Sequence, residues 1–365
     1  MKPDLAGIYI TDDHIDITIG TSRDTRVTRV RNAPFDLVAV DQERVWFARE
    51  GSVDRAFDAA VKWIVDRTHL RAAGIGCYGP FDRIDPIDRE HPQYGKVSNR
   101  AGNRRMAGLS LVQELRTRLP ASIRSDVLIV IDTDVNTAAL GELYWRATHN
   151  GQWVPGWESQ VIAFLKISFG IGGGIVRANE PWRGRWHPEM GQIPVQLWDD
   201  PEEAGFARSQ VYDGLRLESL ASLGAIRKRY GVESDDRAFE KMLRDATHPA
   251  WKRQAWYLAQ LCLAVTAIAV PSHIVMGGRV MNAAKLIEGV RAQFRAFLSE
   301  RPYPWYPEIG EDDEGLARFI SRDSEWSPET PFRDAYVGRP GIIGALCLGE
   351  MYSRPGATNP RTLTR

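Results

Sequence analysis

In "VLIVIDTDVNTAALGELYW" (Val127–Trp145) an apolar run ends in two aspartates, two residues apart, and a helical pattern starts directly behind them. A carboxylate at the junction of a buried strand and a helix is rigidly held. Asp134 therefore suits a general base that takes the proton of a substrate hydroxyl as its oxygen attacks an electrophile, a role worth about 10²- to 10⁴-fold in rate. The competing use is structural, because aspartate is a favoured N-cap and both Asp132 and Asp134 are placed to cap the helix. A second chemistry is offered by "SFGIGGG" (Ser168–Gly174), where missing Cβ atoms let backbone N–H groups crowd around phosphate oxygens. The ordinary use of such a run is a hairpin with a bulge. It has neither the Gly-Lys-Ser/Thr ending of a Walker loop nor the spacing of a Rossmann fingerprint.

The elements that must position these residues follow from periodicity. "LAGIYIT" and "HIDITIG" alternate every second residue and, with "TRVTRV" (Thr25–Val30), read as a β-meander. Helical spacing in "VDRAFDAAVKWIVDRTH", a strand in "LRAAGIGCYGP" and a helix in "SLVQELRTRL" lead to the strand ending at Ile131. Beyond it, "QVIAFLKISFGIGGGIV" reads as two strands joined at glycines. Long helices are expected near Leu215–Arg229 and Trp251–Val270, then a short strand in "HIVMGG". Strands alternating with helices imply an α/β fold with mixed sheets, and ligands at strand carboxyl ends.

Composition bounds the rest. With 365 residues, 43% hydrophobic and 26% charged, a packed two-domain chain is expected. Forty-seven basic residues balance 47 acidic ones, which disfavours a non-specific grip on nucleic acid. Cys77, Cys262 and Cys347 are odd in number and far apart, so reduced thiols in a cytoplasmic protein are expected. The longest apolar run, Leu261–Val270, is about half the ~20 residues of a membrane span. The segment Glu300–Gly315 reads as a proline-rich, then acidic, loop, and the tail after Ser353 as frayed.

Six segments occur in a telling order: "DTDVNTAALGE", "SFGIGGG", "HPEMG", "LESLAS", "VMGGRVM" and "GIIGALCLGE". Together they resemble the ROK family of sugar kinases, most closely its bacterial fructokinase branch, over roughly Gly7 to Glu350. The resemblance implies a two-lobed actin/hexokinase-like ATPase fold with an interlobe cleft. The N-terminal lobe is expected to span 1–131, joined by a helix near 345–365, and the C-terminal lobe 132–344. It implies Asp134 as the catalytic base, with Asn136, Glu189 and Glu218 hydrogen-bonding the sugar, since fixed carboxylates reject a ligand that lacks a hydroxyl. "CYGPFD" (Cys77–Asp82) resembles the family's sugar-side loop and marks Gly79. "GKVSNRAGN" (Gly95–Asn103) marks Ser98, Arg100 and Gly102, although Asn99 and Asn103 replace a proline and a tryptophan. Gly170, Gly172 and Gly173 fall on the phosphate element, and Gly277 and Gly278 beside the adenosine. ATP with Mg²⁺ is the implied co-substrate, and a homodimer the implied assembly.

The chain also departs from the family. Where relatives carry a phosphate-binding "GGTK" turn, it reads Thr11-Asp12-Asp13-His14, which keeps Thr11 as a nucleotide contact but sets two carboxylates against a polyanion. A bound Mg²⁺ with Asp12 or Asp13 as ligand would resolve this, and a solvated hairpin turn is the plainer use of both aspartates. Phe169 replaces a threonine. The structural zinc site is not expected, because Gln192 and Arg216 stand at ligand positions, and Trp182, Trp186 and Trp198 are expected to pack the Glu189 loop instead. An ATP-dependent kinase acting on a fructose-like sugar or related polyol is the leading expectation. A degenerate homologue that binds sugar without using ATP is the alternative. A sugar-responsive repressor is not expected, since the β-meander begins by about residue 6 and leaves no room for a helix-turn-helix.

Overall fold

The structure, a computed structural model, describes residues 2–22, 37–86, 89–101, 104–149, 152–153, 156–184, 187–210, 215–300, 312–322 and 340–354. The strand expected at Thr25–Val30, Gly102, Asn103, Trp186, residues 301–311 of the proline-rich loop and the tail beyond residue 354 lie outside these. The chain divides into two compact units, one drawn from Met1–Ser159, Val176–His187 and Ser327–Arg365, the other from Gln160–Ile175 and Pro188–Trp326.

In the first unit the alternating N-terminus forms β1 (Leu5–Ile10) and β2 (His14–Ser22), antiparallel neighbours. The third strand of the meander is β3 (Leu37–Trp46), which the sequence pattern did not single out. It lies at the sheet edge with most residues exposed or half-buried, so its periodicity is diluted. Helices α1 (Phe47–Glu50) and α2 (Val53–Arg67) follow, the second capped by Ser52, whose hydroxyl accepts the Arg55 N–H. Then come β4 (Ala72–Cys77), α3 (Leu111–Arg118), β5 (Leu128–Thr133), α4 (Asp134–Ala147) and a short hairpin, β6 (Thr148–His149) with β7 (Gln152–Trp153).

The sheet order is β3-β2-β1-β4-β5, antiparallel through β1 and parallel from β1 to β5. Ile8, Ile10, Ile17 and Ile75 meet Phe57 and Val61 of α2 and Leu111 and Leu115 of α3 in one core. On the other face lies the last helix, Pro340–Ser353. Gly7 and Gly74 pair across β1 and β4, and a Cβ on either would run into the helix backbone at Leu346 or Ala345. The same helix crosses α4 where Gly141 meets the Pro340 backbone and Gly344 meets that of Thr137. This packing explains why α4 belongs to the first unit, although the sequence suggested a boundary at 131/132.

The second sheet runs in the order β10-β9-β8-β11-β12, from β8 (Val161–Ile167), β9 (Ile171–Arg177), β10 (Glu180–Pro181), β11 (His273–Gly277) and β12 (Ile320–Arg322); β10 falls in the first unit, and the second holds β8, β11, β12 and β9 as far as Ile175. The helices of the second unit are α5 (Glu203–Arg208), α6 (Leu217–Ala221), α7 (Leu223–Arg229), α8 (Asp236–Arg244), α9 (Ala250–Ala269), α10 (Leu286–Glu300) and α11 (Asp313–Phe319). The single helix expected near Leu215–Arg229 is broken. Ser222 is extended and its hydroxyl accepts the Ala225 N–H, ending α6 and starting α7. The apolar run at Leu261 is the interior of α9, and among the described residues no helix is long and apolar enough to cross a membrane.

Candidate active site

Strand register gathers the motifs. In the first unit Ile10 lies opposite Cys77, and Cys77 opposite Thr133. The Thr11–Asp13 turn, the Tyr78–Gly79 loop and the Asp132–Asp134 element therefore emerge at adjacent carboxyl ends of parallel strands, the edge at which open α/β sheets bind ligands. In the second unit β8 and β11 are parallel, with Gly277 opposite Lys166, so Gly277–Gly278 and the Ser168–Gly170 turn share one sheet edge.

The two aspartates divide their roles. Asp132 has no exposed surface; its carboxylate accepts from Arg183 Nε at 2.5 Å and from Asn136 Nδ2 at 2.8 Å. Arg183 in turn donates to the Tyr352 hydroxyl at 2.8 Å. The capping bond is made by neither aspartate: the Asn136 N–H donates to Thr133 Oγ1 at 3.0 Å. Asp134 opens α4, its Oδ1 accepting the Val135 N–H at 3.0 Å, and it keeps 8% of its surface exposed. Asp134 is thus the aspartate of the pair that solvent reaches. Asn136 is buried, and its side-chain oxygen has no hydrogen-bond partner among the described residues.

Around this element the Gly79–Pro80 peptide is cis, and the His187 ring lies so close to Gly79 that a Cβ there would overlap it. Burial holds the His187 imidazole below its ordinary pKa; the charges of Asp134 and Asp132 oppose this, and that of Arg104 adds to it. Ser98 is buried beside the same loop. Its N–H donates to the Pro80 carbonyl at 2.8 Å and its hydroxyl accepts the Arg100 N–H, while the Arg100 side chain is exposed. The Thr11 hydroxyl organises its own turn, accepting the N–H groups of Asp13 and His14 at 3.2 and 3.1 Å. Asp12 is not a freely solvated turn residue: Arg104 Nη2 donates to its carboxylate at 2.9 Å and Arg105 Nε to its carbonyl at 2.9 Å. Behind the turn, Asp16 is buried. Against that desolvation, hydrogen bonds from His14 and Arg44 hold its carboxyl below the usual range.

In the second unit Glu218, on α6, accepts the Ile171 N–H at 2.6 Å and Gln192 Nε2 at 3.2 Å, and it fills the space a Cβ on Gly170 would need. Glu189 is exposed; its partial desolvation and the neighbouring Glu218 charge raise its pKa. Gly170 closes the turn that joins β8 to β9, whereas Gly172 and Gly173 lie inside β9, where Met190 occupies the position of a Gly173 Cβ. Gly278 has φ +97°, and a Cβ there would meet the Ile167 carbonyl, so both backbone conformation and space require glycine.

Backbone pairing holds the Glu189 loop, and Met190, Ile193 and Trp198 pack against the core of the second unit. Val195 N–H donates to Leu215 O at 3.1 Å, Leu217 N–H to Ile193 O at 3.0 Å, and Arg216 Nη1 to Gln192 O at 2.9 Å. Of the expected tryptophans, Trp182 is 57% exposed, while Trp198 packs edge-on against Trp256 with ring centroids 5.7 Å apart. Gln192 and Arg216, the two residues that made a zinc site unexpected, meet here: the Gln192 carbonyl accepts from Arg216, and the Gln192 amide donates to Glu218. Sequence reasoning missed Arg104, Arg183 and Tyr352, because their partners lie far away along the chain and no local pattern marks them.

The ROK family matches this chain over residues 53–309. A fructokinase of Zymomonas mobilis subsp. mobilis is 31% identical over 234 residues, 60% of this chain and 64% of that enzyme, so the match spans a little under two thirds of that relative. A ROK hexokinase from Thermus thermophilus superposes with a TM-score of 0.58 at 17% identity, covering 96% of this chain and 98% of that one. A ROK glucokinase from Streptomyces griseus, solved with glucose and AMPPNP, does so with a TM-score of 0.56 at 18% identity, covering 95% and 99%. At such identities the likeness to solved structures is one of fold, the α/β architecture expected from the motifs. The family match covers well over half of the sequence, and the chain belongs to the ROK family.

Proposed function

We propose that this protein is an ATP-dependent kinase acting on a hydroxyl of a fructose-like sugar or related polyol. The observation that carries the reading is the division of labour at the β5–α4 junction, where a sealed Asp132 anchors the element and Asp134 meets solvent at a sheet edge suited to ligands. The fructokinase relative and the glucokinase solved with glucose and AMPPNP support the substrate classes. Asp134 takes the proton of the attacking hydroxyl, whose oxygen bonds to the γ-phosphorus. The bond from that phosphorus to the bridging oxygen breaks, and its electron pair leaves on ADP.

In this reading Asn136, Gly79, Ser98, Arg100, Glu189 and Glu218 are the residues assigned to sugar binding. The Thr11 turn, Gly170, Gly172 and Gly173 serve the phosphates, and Gly277 and Gly278 the nucleoside. A depression of about 410 Å³ along α8, lined by Asp236, Arg237, Glu240, Lys241 and Arg244, adjoins Gly278 through the Arg279–Glu240 ion pair at 2.8 Å. Among the described residues no three His, Cys, Asp or Glu side chains form a metal cluster, and Asp12 is already paired. Mg²⁺ would enter on the nucleotide's own phosphate oxygens and neutralise charge there. A homodimer in the cytoplasm completes the proposal.

ADP release measured across ketoses, hexoses and polyols with ATP-Mg tests it. Turnover of at least one acceptor, lost in Asp134→Asn, is the expected result; no turnover with any acceptor or nucleoside triphosphate overturns it.

A further inference from the structure

Among the aspartates of the first unit that an arginine meets, Asp132, Asp16 and Asp12 have arginine partners that are not equivalent. Arg183 on Asp132 and Arg44 on Asp16 keep only 9% and 10% of their side-chain surface, whereas Arg104 on Asp12 keeps 39%. Its guanidinium lies 3.5 Å from the centroid of the Tyr78 ring, directly before Gly79. Its charge is felt by both Asp134 and His187, which places it among the groups around the candidate base.

We infer that Arg104 is the cation that meets the transferring phosphoryl group, held on Asp12 until nucleotide arrives and then exchanged onto phosphate oxygens. The inference rests on the kinase reading and deepens it. A turn with Asp12 and Asp13 would repel a triphosphate; the Arg104 guanidinium beside it cancels one of those charges, and Arg105, whose Nε donates to the Asp12 carbonyl, offsets the other. A half-exposed ion pair is weak, so the exchange meets little resistance. Guanidinium and phosphate match as bidentate partners, and the phosphate carries more charge than the single carboxylate it displaces. Stacking on Tyr78 keeps the planar group in place while its partner changes. A purely structural clamp between the 11–14 turn and the loop at 104–105 is the rival explanation, and it treats both ends of the ion pair alike.

The two readings part on the sign of two substitutions. Arg104→Ala should lower kcat by about 10²-fold with the sugar KM unchanged, and added guanidinium ion should restore part of it. Asp12→Asn should release Arg104, tightening Mg-AMPPNP binding in calorimetry. Equal weakening by both substitutions, or Arg104→Ala with full kcat, overturns the assignment and leaves the kinase reading standing. A wild-type chain that binds no Mg-AMPPNP overturns both. If Arg104→Ala fails to fold, Arg104→Lys and Asp12→Asn decide: the lysine variant should keep nucleotide binding with reduced kcat, and loss of binding in both variants counts as failure.

Discussion

Arg183 donates through Nε to the carboxylate of Asp132 at 2.5 Å, and neither side chain has appreciable contact with solvent. The pair sets the geometry of the candidate base, because the same carboxylate receives Asn136 two residues beyond Asp134. Removing one partner of a buried ion pair leaves an uncompensated charge and costs about 3–5 kcal/mol. Arg183→Leu is therefore expected to lower the melting temperature sharply, whereas Arg183→Leu combined with Asp132→Leu should lower it less. Urea denaturation of the single and double variants checks this.

Asp134→Asn should separate chemistry from stability. The amide oxygen can still accept the Val135 N–H, so the helix start is preserved, but the proton acceptor is gone. The expected loss in kcat is about 10²- to 10⁴-fold, with little change in melting temperature. Steady-state kinetics and a thermal melt on one preparation read both quantities.

His187 should leave a signature in stability against pH. Its folded pKa lies below the unfolded one because burial penalises the charged ring. Between the two values the unfolded chain binds more protons, so stability falls as pH drops from about 6.5 towards the folded pKa and levels off below it. Melting temperatures from pH 7.5 to 5 should decline less in His187→Gln than in the wild type. Parallel curves for the two proteins would contradict the assignment.

Gly278→Ala combines a backbone conformation that L-residues rarely adopt with overlap on the Ile167 carbonyl. A cost of about 1–3 kcal/mol is expected from the backbone alone. The strain sits where β8 and β11 end, so Mg-AMPPNP affinity should fall further than sugar affinity. Calorimetry with each ligand tests the ordering.

The fold was largely legible because its elements are long and periodic, as in α2, α9 and the paired strands β1 and β2. What was not legible is instructive. β3 hid because an edge strand carries little buried pattern, and Ser222 broke a helix through one side-chain cap that periodicity does not register. At the candidate site, the DTDVN element was readable as strand end and helix start, yet which aspartate faces solvent was settled by Arg183, 51 residues away. The tension between Asp12 and a phosphate was visible in the residues. Its partner Arg104, 92 positions on, was not, since ion pairs at such separation are products of topology and leave no trace in local spacing.

One feature of the first unit bears on how the protein is made. The bare glycine faces of β1 and β4 are covered by Pro340–Ser353, and Tyr352 of that helix completes the hydrogen bonding of Arg183. In synthesis β1 and β4 emerge well before Pro340–Ser353, so they wait for that helix before they can bury this face. Nascent chains stalled before that helix should hold an exposed, sticky sheet and depend on chaperones until release.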